Sequence, residues 1–547
     1  MIASLIAFAG ALVFVCFAIV VQSFISMATP VGPWIEPIVA LFMLLVVRSV
    51  LLFSKRIEAA QGSRVACLVT VASGVGGAVA TAFGFSFPTL YFLDKTLFNS
   101  WMASPYLVAF FAFGITIVCG ALAFFLVHYL EEKTLNDPAM PFPIGQMVGR
   151  VLSVAQEIRH SVMLVIGFVS TFIFSMVQWI WQLLPQTISF FSGATISLFR
   201  LPALAIQTNL VLVFLAIGFI AGSLLVVPLI VGILSKIILL EPLQKLFFPQ
   251  MLFKTFLIAF AGGIMLQEAL LSLLKLPPLV LGGMRWVIAW WKRDRTAEKG
   301  DATTVDSVKA GIRSFWWVVL VFGVGIAYFS YYGFSIPSQF YLYLFTIVCV
   351  QQALVIGGKA GMAPMGRYAT FVMLPGLLLF HYSHTQAMMV SLFVWLVGML
   401  TVDLFFGRVA GRMVKIDRRS IIMFQAIGLV LSALLVGPVC WLLINAFGLD
   451  SPELCAQRAQ ARALLVTAWQ FDPIVLLLGA AFGFILQRLK INPILVFTGL
   501  VIAEQFSLLL IAGGVLALLV RDRAEWEPFW SGVFAAGSLA MLIKVFV

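Results

Sequence analysis

The chain has 547 residues, of which 62% are hydrophobic and 10% are charged, and its 34 basic and 22 acidic residues give a net charge of +12. Soluble domains are about 45–50% apolar and about 25% charged, so this composition excludes an ordinary soluble domain. The basic residues cluster in short segments between apolar stretches, which the positive-inside rule explains better than nucleic-acid binding. The sequence therefore predicts an all-α polytopic membrane protein, embedded in the lipid bilayer and with no nucleic-acid partner.

Apolar stretches follow one another along the chain, starting with its first residues. A helix that crosses a bilayer needs about 20 apolar residues, and on that basis we predict about sixteen transmembrane helices. Because no basic region precedes the first stretch, we interpret it as a membrane helix rather than a cleaved signal peptide. The predicted spans are 2–28, 33–54, 65–90, 104–128, 141–182, 184–202, 208–238, 250–277, 313–333, 338–358, 360–380, 385–406, 420–448, 463–487, 491–520 and 527–547.

Two basic segments set the predicted topology. The loop 285–312 divides an N-terminal transmembrane half, 1–284, from a C-terminal half, 313–547, and a second basic loop runs from Arg408 to Arg419. The positive-inside rule places both loops in the cytoplasm, and the number of spans then places both termini there as well. Compact loops and the lack of a targeting extension favour the inner (plasma) membrane of a prokaryotic cell.

Two apolar segments, 136–150 and 357–368, are interrupted by prolines and glycines. Proline breaks a helix, and broken backbone at membrane depth is tolerated only beside protein or a water-filled cavity. A helix that begins near Pro143 or Ile144 would turn free N–H groups toward a substrate carboxylate. The alternative is that the prolines only kink the helices where they pack. In that case the cations Lys359 and Arg367 extend to the lipid headgroups. The predicted substrate-binding residues are Pro141, Phe142, Pro143, Gly145, Gln146, Lys359, Pro364, Gly366, Arg367 and Tyr368.

Three acidic residues interrupt otherwise apolar stretches: Glu268, Glu504 and Asp403. A charge at membrane depth is costly, so such a carboxyl usually faces a cavity or a partner and is suited to carry a proton. We predict proton coupling at these positions; the alternative is a structural carboxyl, and for Asp403 an interfacial one. The spacing of His381 and His384 would place both on one helical face, but a third ligand is lacking. We therefore predict an interfacial polar cluster, no metal site and no cofactor; the alternative is metal binding or proton relay.

The two halves contain similar segments in the same order. Phe142 to Gln146 is similar to 363–367, and the stretch from Gly218 to Gly232 is similar to the stretch from Gly499 to Gly513. A third similarity links 261–263 with 535–537. Paired broken segments in repeated halves are typical of transporters, so we predict a duplication and leave its parallel or inverted arrangement open.

These motifs resemble the oligopeptide transporter family, which includes the yellow-stripe-like metal-chelate transporters. The resemblance lies in Leu135 to Val148, in 218–228 followed by Glu241-Pro242, in 358–367 and in the helices after Asn492-Pro493. It implies about sixteen helices and proton-driven import of peptides or metal–chelate complexes by alternating access. Arg367 departs from the family pattern, in which small polar residues are commoner at this position.

Other functions remain as alternatives at this point. An intramembrane lipid-processing enzyme usually needs clustered carboxylates for its metal or acid–base chemistry, and the sequence has no Asp-rich, His-Glu-x-x-His or Gly-x-Ser-x-Gly motif. No phosphate-cradling Gly-Lys-Ser/Thr loop is present either, so ATP is not the predicted energy source. We therefore predict a transporter rather than an enzyme. A passive channel or scramblase, and a homo-oligomer, stay open.

Overall fold

The computed structural model describes most of the chain. The described residues are 2–29, 35–36, 38–40, 42–43, 46–47, 59–137, 140, 142–153, 158–179, 187–191, 206–209, 212–274, 322–360, 363, 365–451, 454, 456–467, 472–501, 504–520 and 522–543. The predicted basic loop 285–312 lies outside them. The division into two halves on either side of that loop therefore stays a prediction.

Apolar sequence and proline positions set the helix boundaries. A proline at the first position begins several helices, because that position needs no hydrogen-bonded N–H. The helices are Ile2–Ala28, Ala59–Ser86, Thr89–Leu93, Lys95–Met102, Pro105–Leu135, Pro143–Ser153, Ile158–Trp179, Leu212–Ala221, Ser223–Leu234, the π-helical Ser235–Leu240, Glu241–Phe247, Phe253–Leu274, Ile336–Ala360, Met365–Phe380, His384–Met413, Arg418–Phe447, Gln457–Val466, Pro473–Arg488, Pro493–Val501, Glu504–Leu519 and Arg523–Ile543. Residues 36, 38–40, 42–43, 46–47 and 322–331 are helical as well.

Seven described helices are long and apolar enough to cross a bilayer, which confirms a helical, membrane-embedded protein. They are Ile6–Ala28, Gln61–Leu93, Pro105–Glu132, Val226–Phe247, Ile336–Gly358, His384–Met413 and Arg418–Phe447. Five apolar helices of 10–17 residues accompany them. The total of sixteen crossings stays a prediction.

The predicted span 184–202 is not helical in its described part. Thr187–Phe191 is a β-strand that pairs antiparallel with Ile206–Asn209, with Thr187 opposite Asn209. Strand pairing satisfies backbone groups without a helix, in a stretch that also contains Pro185 and Pro202. This two-stranded ribbon is the departure from helical structure within the described residues.

The helix His384–Met413, called the central helix below, lies in the middle of the packing. It contacts the helices Ala59–Ser86, Pro105–Leu135, Pro143–Ser153 and Met365–Phe380. Almost all of it is buried, including the polar Asp403 and Arg408. The sequence predicted that this span would end at 406, with Arg408 in a cytoplasmic loop. That boundary is wrong, because the helix continues to Met413. The burial of Arg408 is possible because its guanidinium forms an ion pair with a buried acid on another helix.

Glycines bring pairs of helices into backbone contact. A Cβ at Gly218 would lie 2.1 Å from the carbonyl oxygen of Leu510, and a Cβ at Gly513 would lie 2.0 Å from that of Leu215. Small residues at such crossings let helix backbones approach closely in a membrane. The same reciprocal contact joins Gly232 with Gly499, Gly167 with the helix of Gly532, and Gly263 with the helix of Gly479.

One of the predicted sequence similarities, that of 218–232 with 499–513, therefore corresponds to direct contacts. Gly218 packs near Gly513 and Gly232 packs on Gly499, so the similar stretches lie side by side in opposite order. The third similarity does not form a contact of this kind, because Gly263 faces Leu476 rather than the segment 535–537.

Candidate functional site

The two broken segments predicted from the sequence meet each other. The backbone N–H of Phe142 donates a hydrogen bond of 2.7 Å to the carbonyl oxygen of Gly358. A Cβ at Gly358 would lie 3.2 Å from Cβ of Met140 and 3.3 Å from Cζ of Phe142, so the two segments are close enough for a side chain here to crowd both residues. The helix after the first break begins at Pro143, as the sequence predicted.

Phe142 holds the first break against the central helix. Its φ of +51° lies in the left-handed region that a bulky side chain rarely adopts. The surroundings hold it there: the ring is buried, stacks on Phe405 at 5.5 Å and meets Phe406 edge-on at 6.1 Å. A Cβ at Gly145 would lie 2.6 Å from the carbonyl oxygen of Phe406, so the new helix touches the central helix directly.

Asp403 lies on the central helix just before Phe405, and its carboxyl meets that of Glu36. A Cβ at Gly74 would lie 2.8 Å from Cγ of Glu36 and 2.9 Å from Oδ1 of Asp403, so both acids converge on this glycine. Glu36 is 5% exposed and Asp403 is 3% exposed.

This carboxyl pair is suited to hold a proton. Two ionised carboxylates in an apolar interior would repel each other and would each lose hydration, so the pair favours a shared or bound proton. The nearest cation along the central helix, Arg408, is already engaged. Its Nε donates to Oε1 of Gln425 at 3.0 Å, and its Nη1 donates to both oxygens of Glu131 at 3.1 Å.

A second group of residues surrounds Trp395, about 12 Å along the central helix from Asp403 at a rise of about 1.5 Å per residue. The guanidinium carbon of Arg462 lies 4.7 Å from the centre of the Trp395 ring. That of Arg458 lies 5.2 Å from the same ring and 4.5 Å from the ring of Phe85. Both arginines belong to the short helix Gln457–Val466, most of which is buried.

The second break reaches this group through Gly366. A Cβ at Gly366 would lie 3.0 Å from Cζ3 of Trp395 and 3.4 Å from Nη1 of Arg458. Tyr368, one of the predicted contact residues, is buried close by in sequence, whereas the predicted Arg367 is exposed. A cation beside the second break is therefore Arg458, which lies between two of the predicted spans.

Comparison of the chain with models of known protein families gives no match, and comparison with curated proteins gives no match either. The function is therefore inferred from the arrangement of the residues.

Several predicted site residues lie outside the part of the chain that can be described. Pro141 and Pro364 are among them, as are the side chains of Lys359, Glu268 and Glu504. The described ones, Phe142, Pro143, Gly145, Gln146, Gly366, Tyr368 and Asp403, belong to or flank segments that pack on the central helix. Their predicted roles in binding and coupling stay predictions.

Three residues of this arrangement were missed. Glu36 is an acid inside an apolar stretch, so the criterion that selected Glu268 and Glu504 would also have selected it. Arg458 and Arg462 stand four residues apart before an apolar span, which places them on one helical face. That spacing was visible in the sequence, but the aromatic rings beneath the guanidinium groups come from distant segments.

The two histidines do not share a helical face as predicted, because one helix ends at Phe380 and the next begins at His384. His381 and His384 are both exposed, and Nδ1 of His384 lies 3.8 Å from Oδ2 of Asp94. Among the described residues, no group of three or more histidine, cysteine, aspartate or glutamate side chains is arranged to hold a metal ion.

Proposed function

We propose that the protein is a secondary transporter that imports oligopeptides or metal–chelate complexes, coupled to protons, by alternating access. The observation that carries the proposal is the buried pair of Glu36 and Asp403 beside the meeting point of two broken helices. Broken helices at membrane depth are where transporters place their substrate and coupling ions. An intramembrane carboxyl without a permanent counter-ion is a functional feature by default.

In this proposal one proton is the coupled ion. A carboxyl oxygen of the Glu36–Asp403 pair accepts a proton from the outer side, which removes a charge from the interior. The neutral pair permits the change that exposes the site to the cytoplasm, where the proton leaves and the charge returns. The net change is one proton moved inward with the substrate, and no covalent bond of the substrate is altered. Glu268 and Glu504 remain further candidates for the same role.

The substrate contacts the segments 140–146 and 357–368 in this proposal. Both segments border the central helix, one through Phe142 and the other through Gly366. A rotation of the central helix would therefore move both broken segments and the carboxyl pair together. The resemblance of these segments to the oligopeptide transporter family supports the class of cargo.

The decisive experiment is uptake by the purified protein in liposomes under an imposed inward proton gradient. Di- to hexapeptides and iron-loaded chelators are supplied together, and mass spectrometry identifies what accumulates. Gradient-dependent accumulation of one class supports the proposal and names the cargo. Equilibration without concentration would favour a passive channel or scramblase, and chemical conversion of a lipid or cargo would favour an intramembrane enzyme.

Asp403→Asn and Glu36→Gln test the coupling assignment. Each variant keeps the shape of the side chain but fixes it in a neutral form, so gradient-driven uptake should fall at least tenfold while exchange without a gradient persists. Asp522→Asn is the matched control, because Asp522 is an exposed carboxyl on the surface. Full concentrative uptake by both buried variants would remove the pair from the coupling step and leave Glu268 and Glu504 as the candidates.

A further inference from the structure

Arg462 is a buried cation whose hydrogen-bond partners among the described residues are all neutral. It is 4% exposed, and its Nη1 donates to the carbonyl oxygen of Phe85 and to Oγ of Ser86. Those groups close the C-terminal end of the helix Ala59–Ser86, where backbone carbonyls lack partners within the helix. No carboxylate among the described residues forms an ion pair with this guanidinium. A buried charge without a counter-charge is costly.

The charge of Arg462 is reinforced by that of Arg458. The two residues are one helical turn apart, and both guanidinium groups lie over the ring of Trp395. Each cation is attracted to the face of the ring, but two positive groups above one indole also repel each other. An anion between or beside them would relieve that repulsion.

Trp395 supplies an independent indication of a ligand. The residue is 3% exposed, and its indole N–H makes no hydrogen bond with any described residue. A buried tryptophan N–H usually finds an acceptor, because leaving a donor unpaired costs about 1–3 kcal/mol. The indole N–H that lacks an acceptor therefore lies at the same place as the Arg462 guanidinium that lacks a counter-charge.

We propose that Arg458, Arg462 and the indole N–H of Trp395 form a binding site for an anionic oxygen group of a small molecule. The planar guanidinium groups match a carboxylate or phosphate, whose oxygens would accept from both arginines and from the indole. The site adjoins Gly366, so the anion belongs to the substrate at the second break, a step that rests on the proposed transport function. Binding of an anion by itself does not rest on it.

A purely structural role for the arginines predicts a different behaviour. In that case Arg462 would only tie its helix to the carbonyl of Phe85, and added anions would change nothing beyond their ionic strength. A ligand that binds the folded state alone raises the midpoint of unfolding in proportion to the logarithm of its concentration. Thermal unfolding of the full chain in detergent separates the two roles without any proton gradient.

The probes are acetyl-dialanine, its C-terminal amide, succinate and inorganic phosphate, each at millimolar concentration and equal ionic strength. Acetyl-dialanine and its amide differ only in the carboxylate. We expect at least one anion to raise the midpoint by a few degrees and the amide to raise it much less. A peptide response without a phosphate response would identify a carboxylate site, and the reverse would identify a phosphate site.

Variants locate the site. Arg462→Gln and Arg458→Gln should abolish the rise, and Trp395→Phe, which keeps the aromatic ring but lacks the N–H, should reduce it. Arg488→Gln is the matched control, because Arg488 also lies over a ring, that of Phe484 at 5.1 Å, but is exposed. If Arg462→Gln does not fold, the other two variants carry the test.

An equal rise in the arginine variants, or no rise with any of the three anions in the parent protein, would overturn the proposal. The liposome experiment then distinguishes the two conclusions. Proton-driven uptake with no anion effect would reject this site and keep the transporter, whereas an anion effect without uptake would keep the site and reject the transporter.

Discussion

Arg408 on the central helix donates from Nη1 to both carboxylate oxygens of Glu131, at 3.1 Å each. Arg418, which begins the next helix, donates to the same carboxylate from Nη2 at 2.7 Å and from Nε at 3.0 Å. Glu131 is 6% exposed and lies near the end of Pro105–Leu135. One acid thus joins three helices close to the basic segment that the sequence places on the cytoplasmic side.

Glu131→Gln should destabilise the protein strongly. Removing one partner of a buried ion pair leaves the other charge buried and uncompensated, which costs about 3–5 kcal/mol. Thermal unfolding in detergent, followed by circular dichroism, measures the loss as a fall in the midpoint. The neighbouring Glu132→Gln is the control, because Glu132 is exposed and its change should leave the midpoint nearly unaltered. Equal midpoints for the two variants would show that Glu131 does not hold the helices together.

Gly74→Ala should disturb the carboxyl pair without altering its charge. The added methyl group would overlap Cγ of Glu36 and Oδ1 of Asp403, which must move apart. We expect gradient-driven uptake to fall several-fold in the liposome assay while the protein remains folded. Gly323→Ala is the control, because nothing lies within 4 Å of a Cβ at that helical glycine. Unchanged coupling in Gly74→Ala would mean that the spacing of the two acids is unimportant.

Gly513→Ala should weaken the crossing between Leu212–Ala221 and Glu504–Leu519. The new methyl group would lie 2.0 Å from the carbonyl oxygen of Leu215, and a backbone oxygen cannot rotate away as a side chain can. Overpacking typically costs about 1–3 kcal/mol, and we expect the upper part of that range here. The midpoint of thermal unfolding reports the change, again against Gly323→Ala. A midpoint no lower than the control's would contradict the close approach.

Protonation of Asp450 should cause a small loss of stability in acid. Its carboxylate accepts from the hydroxyl of Tyr91 and from Nζ of Lys95, the latter at 3.0 Å. These hydrogen bonds, that of Tyr91 first, lower the pKa of the Asp450 carboxyl below its ordinary value. The stabilisation is therefore complete above about pH 4, the ordinary value, and is lost as the pH falls through the lowered pKa in the folded protein.

Asp450→Asn should remove that acid-side loss. Because both side chains of the Lys95–Asp450 pair are mostly exposed, the effect should be below about 1 kcal/mol and should shrink with added salt. Unfolding midpoints between about pH 2.5 and 6, measured at two salt concentrations, test this expectation, with Asp522→Asn as the control. An identical acid-side slope in Asp450→Asn and the parent would contradict it.

The sequence predicted the features that depend on local chemistry. Proline and glycine marked the break before Pro143, and the long apolar runs marked the membrane helices. The left-handed turn at Phe142 was not predictable, because only its packing on Phe405 and Phe406 stabilises that conformation. The helix Gln457–Val466 was missed for a related reason. Its sequence mixes polar and apolar residues, and its burial depends on surrounding helices that are remote in the chain.

The interfacial alternative for Asp403 shows the same limit. It was kept because Asp403 stands near a basic segment of the sequence. The structure buries Asp403 inside the protein beside Glu36. Distance from a charge cluster along the chain is a poor guide to depth when a helix continues into that cluster. Here the ion pair of Arg408 with Glu131 allows the helix to do so.

The burial of the central helix also determines how the membrane can act on the protein. In the most apolar 18-residue stretch of His384–Met413, 94% of the residues are buried, whereas the corresponding share in Val226–Phe247 is 28%, and that helix presents large apolar side chains outward. Lipids that are too long or too short for the protein will therefore deform the outer helix first. The carboxyl pair and the arginines are shielded from that deformation, so bilayer thickness should change the activity through the periphery rather than through the chemistry at the centre.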